Sequence, residues 1–87
     1  MKDFESCVRL VNQRLNERIK LFSGIDHDFL IKHGENCSEN MIKLIPAYCS
    51  TFYRMGEFIK IAEVCGCSCF VTCENNGYEM APCLYIQ

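Results

Sequence analysis

Apolar residues recur with helical spacing along the first part of the chain. Phe4, Val8, Val11, Leu15, Ile19 and Phe22 follow one another at steps of four or three. At about 100° per residue they fall on one stripe. Cys7, Leu10 and Leu21 widen that stripe, and neither Pro nor Gly interrupts it. Asp3 and Glu5 place negative charge at the positive end of the helix dipole. Ser23-Gly24 supplies a stop, with Gly24 suited to a left-handed C′ position. The pattern predicts an amphipathic helix over residues 3–22.

The middle of the chain is less regular. Between Asp26 and Lys32, Phe29, Leu30 and Ile31 form an apolar triplet that fits one helical turn or a short strand; Asp26 or Asp28 can cap it and Gly34 can end it. Asn36-Cys37-Ser38-Glu39 has the spacing of a capping box. Met41, Ile42, Leu44 and Ile45 follow, which predicts a short helix that Pro46 stops. Over residues 47–65, Tyr48, Phe52, Met55, Ile59 and Ala62 again step by four and three. A strand over Glu57 to Val64 would mix charge with apolar groups on both faces. A helix is therefore predicted there, with Gly56 inside it and Gly66 closing it.

The period then changes. Cys67-Ser68-Cys69-Phe70-Val71-Thr72-Cys73 alternates and is rich in β-formers. Glu74-Asn75-Asn76-Gly77 signals a turn, and Tyr78 to Ile86 returns as a second strand in which Pro82 implies an edge or a bulge. The face bearing Cys67, Cys69, Val71 and Cys73 is the one expected to lie on the helices. Together the elements predict an α+β fold that is mostly helical. It has two main amphipathic helices, short helices and a C-terminal β-hairpin in a single domain, 1–87, with no internal repeat.

Composition narrows the class. With 87 residues, 49% hydrophobic and 23% charged, the chain fits one small globular domain. No apolar run approaches the roughly 18–20 residues of a membrane span. The net charge of −2 argues against a general nucleic-acid packer. Eight cysteines are the unusual feature. The N-terminal stretch lacks the apolar core of a secretory signal, so a reducing cytoplasm is expected, with cysteines acting as small buried hydrophobes.

Candidate chemistry is sparse. Cys65, Cys67, Cys69, Cys73 and Cys83 place five thiols close in sequence. They are the candidate ligands of a zinc site, or the thiols of a redox-sensing module. Their C-x-C-x-C-x₃-C spacing, however, is not that of paired zinc knuckles, and strand residues two apart do not chelate without a sharp turn. His33 and Cys37 are separated by Gly34 and a cap, and His27 sits between Asp26 and Asp28, so neither histidine forms a nucleophile–base pair. No enzyme is expected. Lys2, Arg9 and Lys20 share the polar face of the first helix, within a segment 1–25 of net charge +2 against −4 for the remainder. Those three are the candidate nucleic-acid contacts, although three cations on a helix face also serve solubility alone.

The expected function is non-catalytic binding. Leu10, Leu21, Tyr53, Ile61 and Val64 lie off or at the edge of the main apolar stripes, and apolar residues left uncovered mark contact surfaces. The expectation is a small cytoplasmic regulator or inhibitor that docks on a larger protein, or on a second copy as a homodimer, without cofactor or membrane. A motif-free domain of this size suits an accessory factor of a phage or mobile element that blocks a host defence complex.

Overall fold

A computed structural model describes residues 1–21, 29–32, 40–46, 49–75 and 77–87; for 18–21, 29–32 and 49–51 it describes the backbone alone. Helix α1 (Phe4–Leu21) is followed by strands β1 (Phe29–Lys32) and β2 (Ile42–Pro46). A 3₁₀ helix (Cys49–Met55) runs into α2 (Gly56–Val64), and β3 (Cys69–Asn75) and β4 (Met80–Ile86) complete the chain. The four strands form one antiparallel sheet in the order β1-β2-β4-β3.

The expected mostly helical fold is therefore corrected. The sheet organises the molecule, and helix takes under half of the chain. The short helix expected before Pro46 is strand β2, and the ambiguous triplet Phe29–Ile31 belongs to strand β1. Of the stretch expected as one helix over 47–65, the described residues form a 3₁₀ segment joined to a short α-helix, with Gly56 at the junction, and Tyr48 lies outside them. Gly24, Gly34 and the capping box at 36–39 lie outside the described residues. The order helix-strand-strand occurs twice, and the two hairpins meet through β2 and β4. This is a topological repeat that the sequence does not display.

One face of the sheet carries the core. Ile42 and Leu44 of β2 and Leu84 and Ile86 of β4 are buried against Phe58 and Ala62 of α2, Cys7 and Val11 of α1, and Met55. The register explains this set, because Ile42 pairs with Ile86 and Leu44 with Leu84. The helices cover the sheet only part way along β3. Cys67 is buried and Cys69 half-buried, but Val71 is 50% exposed and Cys73 is exposed. No helix among the described residues is long and apolar enough to cross a membrane.

Two prolines set where the pairing of β2 with β4 ends. Ser68 and Gln87 exchange both backbone hydrogen bonds, at 2.8 and 2.9 Å. Antiparallel ladders alternate from such a pair, so Ala81, Cys83 and Tyr85 aim their backbone groups at β3, whereas Pro82, Leu84 and Ile86 face β2. Carrying the β2–β4 register past Leu44–Leu84 would set Pro82 opposite Pro46. Neither has an N–H, so the ladder stops there. Pro82 thus sits in an inner strand, not the expected edge, at a position where β4 has run past its β2 partner.

On the opposite face, Glu74 ties three strands together. It accepts hydrogen bonds from Lys43 Nζ on β2 at 2.7 Å, from Tyr85 Oη on β4 at 2.6 Å and from Thr72 Oγ1 on its own strand. Phe70 stacks parallel on Tyr85 with centroids 4.9 Å apart. Lys43 is the first cause holding the Glu74 carboxyl down to about 2, against an ordinary 4.5. A carboxyl depressed on folding contributes stability above its unfolded value and loses it as pH falls toward the folded one. The protein is predicted to lose stability between about pH 4.5 and pH 2 through this group. Urea titrations across that range should show the loss, and Glu74→Gln should flatten it.

The two helices are joined at their ends. Asp3 Oδ1 accepts the Ser6 N–H at 3.1 Å and caps α1. The Asp3 N–H in turn donates to the Cys65 carbonyl at 2.7 Å. α2 closes in a Schellman motif: the Gly66 N–H donates to Glu63 O and the Cys67 N–H to Ala62 O. Gly66 has φ +71°, and a Cβ there would lie 2.6 Å from the Met1 carbonyl oxygen. Gly66→Ala is predicted to destabilise the protein by at least about 1–2 kcal/mol from the left-handed backbone alone, with the steric conflict added. A midpoint in urea unchanged from the parent would contradict this close approach.

Candidate functional site

α1 and α2 lie side by side, linked by Arg14 Nε, which donates to Glu57 Oε2 at 3.1 Å, while Arg14 Nη1 reaches Glu17 of the same helix. Beside this bridge two shallow depressions meet at Leu10. One is lined by Leu10, Gln13, Arg14, Glu17 and Ile61. The other takes in Met1, Lys2, Arg9, Leu10, Val64 and Cys65, together with the Asp3 cap. Leu10 and Ile61 are half-buried and rest on the core, whereas Val64 is 83% exposed. The helical surface therefore presents a small apolar strip, Ile61–Leu10–Val64, with Lys2 and Arg9 on its rim. Lys2 lies over the Phe4 ring, and Arg9 Nη2 donates to Ser6 Oγ at 3.1 Å.

Three of the five expected partner-binding residues thus come together. Tyr53 is 75% exposed on the 3₁₀ segment, where Arg54 Nε donates to its hydroxyl, and it does not line this strip. The side chain of Leu21 lies outside the described part, as does that of Lys20. Of the candidate nucleic-acid cations, Lys2 and Arg9 share the rim of the second depression. Comparison with known protein families, curated proteins and solved structures finds no match. The site is therefore read from its geometry alone.

The five candidate zinc thiols are dispersed. Cys65 is at the end of α2, and Cys67, Cys69 and Cys73 run along the core-facing side toward the open end of β3. Cys83 pairs with Thr72 on the opposite face. Among the described residues no group of three His, Cys, Asp or Glu side chains could hold a metal ion. No local pattern places Cys7 with Cys65 and Cys67, but the helix packing brings these buried thiols into contact. Burial, and then the neighbouring Cys67 and Cys65 sulfurs, push the Cys7 thiol up to about 12. Burial also raises Cys69 and Cys83. A thiol held protonated is a weak nucleophile, so Cys7, Cys69 and Cys83 are not activated sulfurs. The residues missed from sequence were Cys7 in this cluster and the Lys43–Glu74–Tyr85 network. Only the alternation of Phe70, Thr72 and Glu74 hinted at the latter.

Thiol labelling reads this arrangement directly. Cys73 is predicted to react with an aromatic disulfide as an exposed thiol does, and Cys7, Cys65, Cys67 and Cys83 about a hundredfold more slowly, by opening of the fold. Mass spectrometry assigns the modified residues. Labelling of Cys7 as fast as Cys73 would contradict the buried cluster.

Proposed function

We propose that this is a small non-catalytic binding protein, a regulator or inhibitor that acts through protein–protein contact. The observation that carries the reading is Val64, a β-branched residue 83% exposed at the end of α2, which shares one depression with Leu10, while Ile61 shares the adjoining one with Leu10. An apolar strip of this kind, rimmed by charge, is the anatomy of a contact surface. Lys2 and Arg9 on the rim select the partner's chemistry: an apolar segment flanked by acidic side chains. The raised thiols offer no activated nucleophile for a catalytic alternative. A reducing cytoplasmic setting fits the six described cysteines, all of which are free.

The test compares two baits. The wild-type protein, used for affinity capture from its native cells, is expected to retain a stoichiometric larger partner. Val64→Glu, which places a charge at an exposed helix end without touching the core, is expected to lose that partner by about tenfold or more, the cost of one buried contact. Circular dichroism should be unchanged between the two. Capture of no stoichiometric partner, or equal capture by both baits, would contradict the proposal.

A further inference from the structure

β3 is an edge strand of unusual openness. The exchange of hydrogen bonds between Ser68 and Gln87 fixes its phase. Phe70, Thr72 and Glu74 direct their backbone groups to β4, so Cys69, Val71, Cys73 and Asn75 direct theirs away from the sheet. Among the described residues no strand pairs with that side, and Val71, Cys73 and Asn75 are exposed to solvent. Edge strands are normally blunted by Lys, Pro, a bulge or brevity. The opposite edge, β1, follows that rule with four residues ending in Lys32. β3 has seven residues, no Lys, no Pro and an unbroken register with β4.

We propose that the outer edge of β3 is a dimerisation site whose occupant is β3 of a second copy of this chain, antiparallel about a two-fold axis through Thr72. The helical strip described above plays no part in it. The sequence of β3 is self-complementary in this register. All seven residues pair: Thr72 with Thr72 of the second copy, Val71 with Cys73, Phe70 with Glu74 and Cys69 with Asn75. The four outward-facing residues of each chain meet one another, which allows eight backbone hydrogen bonds. Shifting by one residue sets outward-facing groups against inward-facing ones, and shifting by two leaves residues unpaired. Val71 and Cys73 cover each other across the core-facing side, and Thr–Thr pairs are favourable neighbours. Glu74 is the only charged residue of β3. It falls opposite Phe70, about 13 Å along the strand from its own counterpart, and so meets no like charge. The product is a continuous eight-stranded sheet. A contact of seven residues per chain lies at the small end of the interface scale, near or below about 1,200 Å², so the dimer is predicted to form in the micromolar range.

Sedimentation velocity between about 1 and 300 µM, a span that brackets micromolar association, is expected to show a monomer–dimer equilibrium. Val71→Pro removes an outward N–H that β4 does not use, and Val71→Lys places a charge on the edge. Both are expected to leave a folded monomer across the range, and the lysine variant keeps the test valid where the proline distorts β3. Register is read separately. In a Cys73→Ser, Cys83→Ala background, which removes the thiol cross-strand from residue 72 within the same chain, Thr72→Cys sets two thiols at a non-hydrogen-bonded pair with Cα atoms about 4.5 Å apart, and mild oxidation is expected to give a covalent dimer. A wild-type monomer at every concentration, a dimer that persists in Val71→Lys, or no cross-link at residue 72 would each overturn the proposal.

Discussion

Three residue pairs hold the two halves of this protein in one sheet: Ile42 with Ile86, Lys43 with Tyr85, and Leu44 with Leu84. Each half is a helix followed by a hairpin, and a two-stranded hairpin has too little apolar surface to stand alone. Joined at β2 and β4, the hairpins form a single face broad enough for both helices. The four inward side chains of the seam are almost wholly buried, with Phe58 and Val11 among the residues against them. On the other side the seam sets Lys43 and Tyr85 where Glu74 can join them. Packing on one face and charge on the other thus depend on the same short stretch of ladder.

The seam's length decides the surface. It ends where Pro46 and Pro82 would face each other, so the hairpin of β3 and β4 continues without β2. That is where Cys73, Tyr78 and Met80 are exposed. The helical end of the molecule behaves differently. Asp3, Cys65 and Gly66 lock the start of α1 to the end of α2, and the close approach leaves Val64 outside and three thiols inside. Sulfur serves as filler at this joint because it is small and apolar.

Much of the local structure was legible in the sequence, and little of the long-range pairing was. The steps of four and three from Phe4 to Phe22 point to α1, of which Phe22 lies outside the described residues, and the change to alternation after Gly66 points to the hairpin, although Glu74 and Asn75 of the turn signal Glu74–Gly77 belong to β3. Ile42 to Pro46 reads as either period because five residues have apolar groups at several spacings; its pairing with Phe29–Lys32 on one side and with Leu84 and Ile86 on the other makes it a strand. β4 defeats a two-residue pattern for the same reason, since an inner strand is buried on both faces. At the candidate site, Leu10, Ile61 and Val64 were legible as residues off the main stripes. That they share one strip depends on how α1 lies on α2, which no local pattern encodes. The thiol-rich tail suggested a metal, but strand alternation and the length of β3 pull those sulfurs apart.

Amide hydrogen exchange, read residue by residue on dilute protein, tests the role of the seam most directly. The N–H groups of Ile42, Leu44, Leu84 and Ile86 should be among the slowest in the chain, opening only with global unfolding, while those of Val71 and Cys73 exchange close to the rate of an open strand edge. Fast exchange along the seam, or protection of Val71 and Cys73 at dilutions where the chain is monomeric, would contradict this account.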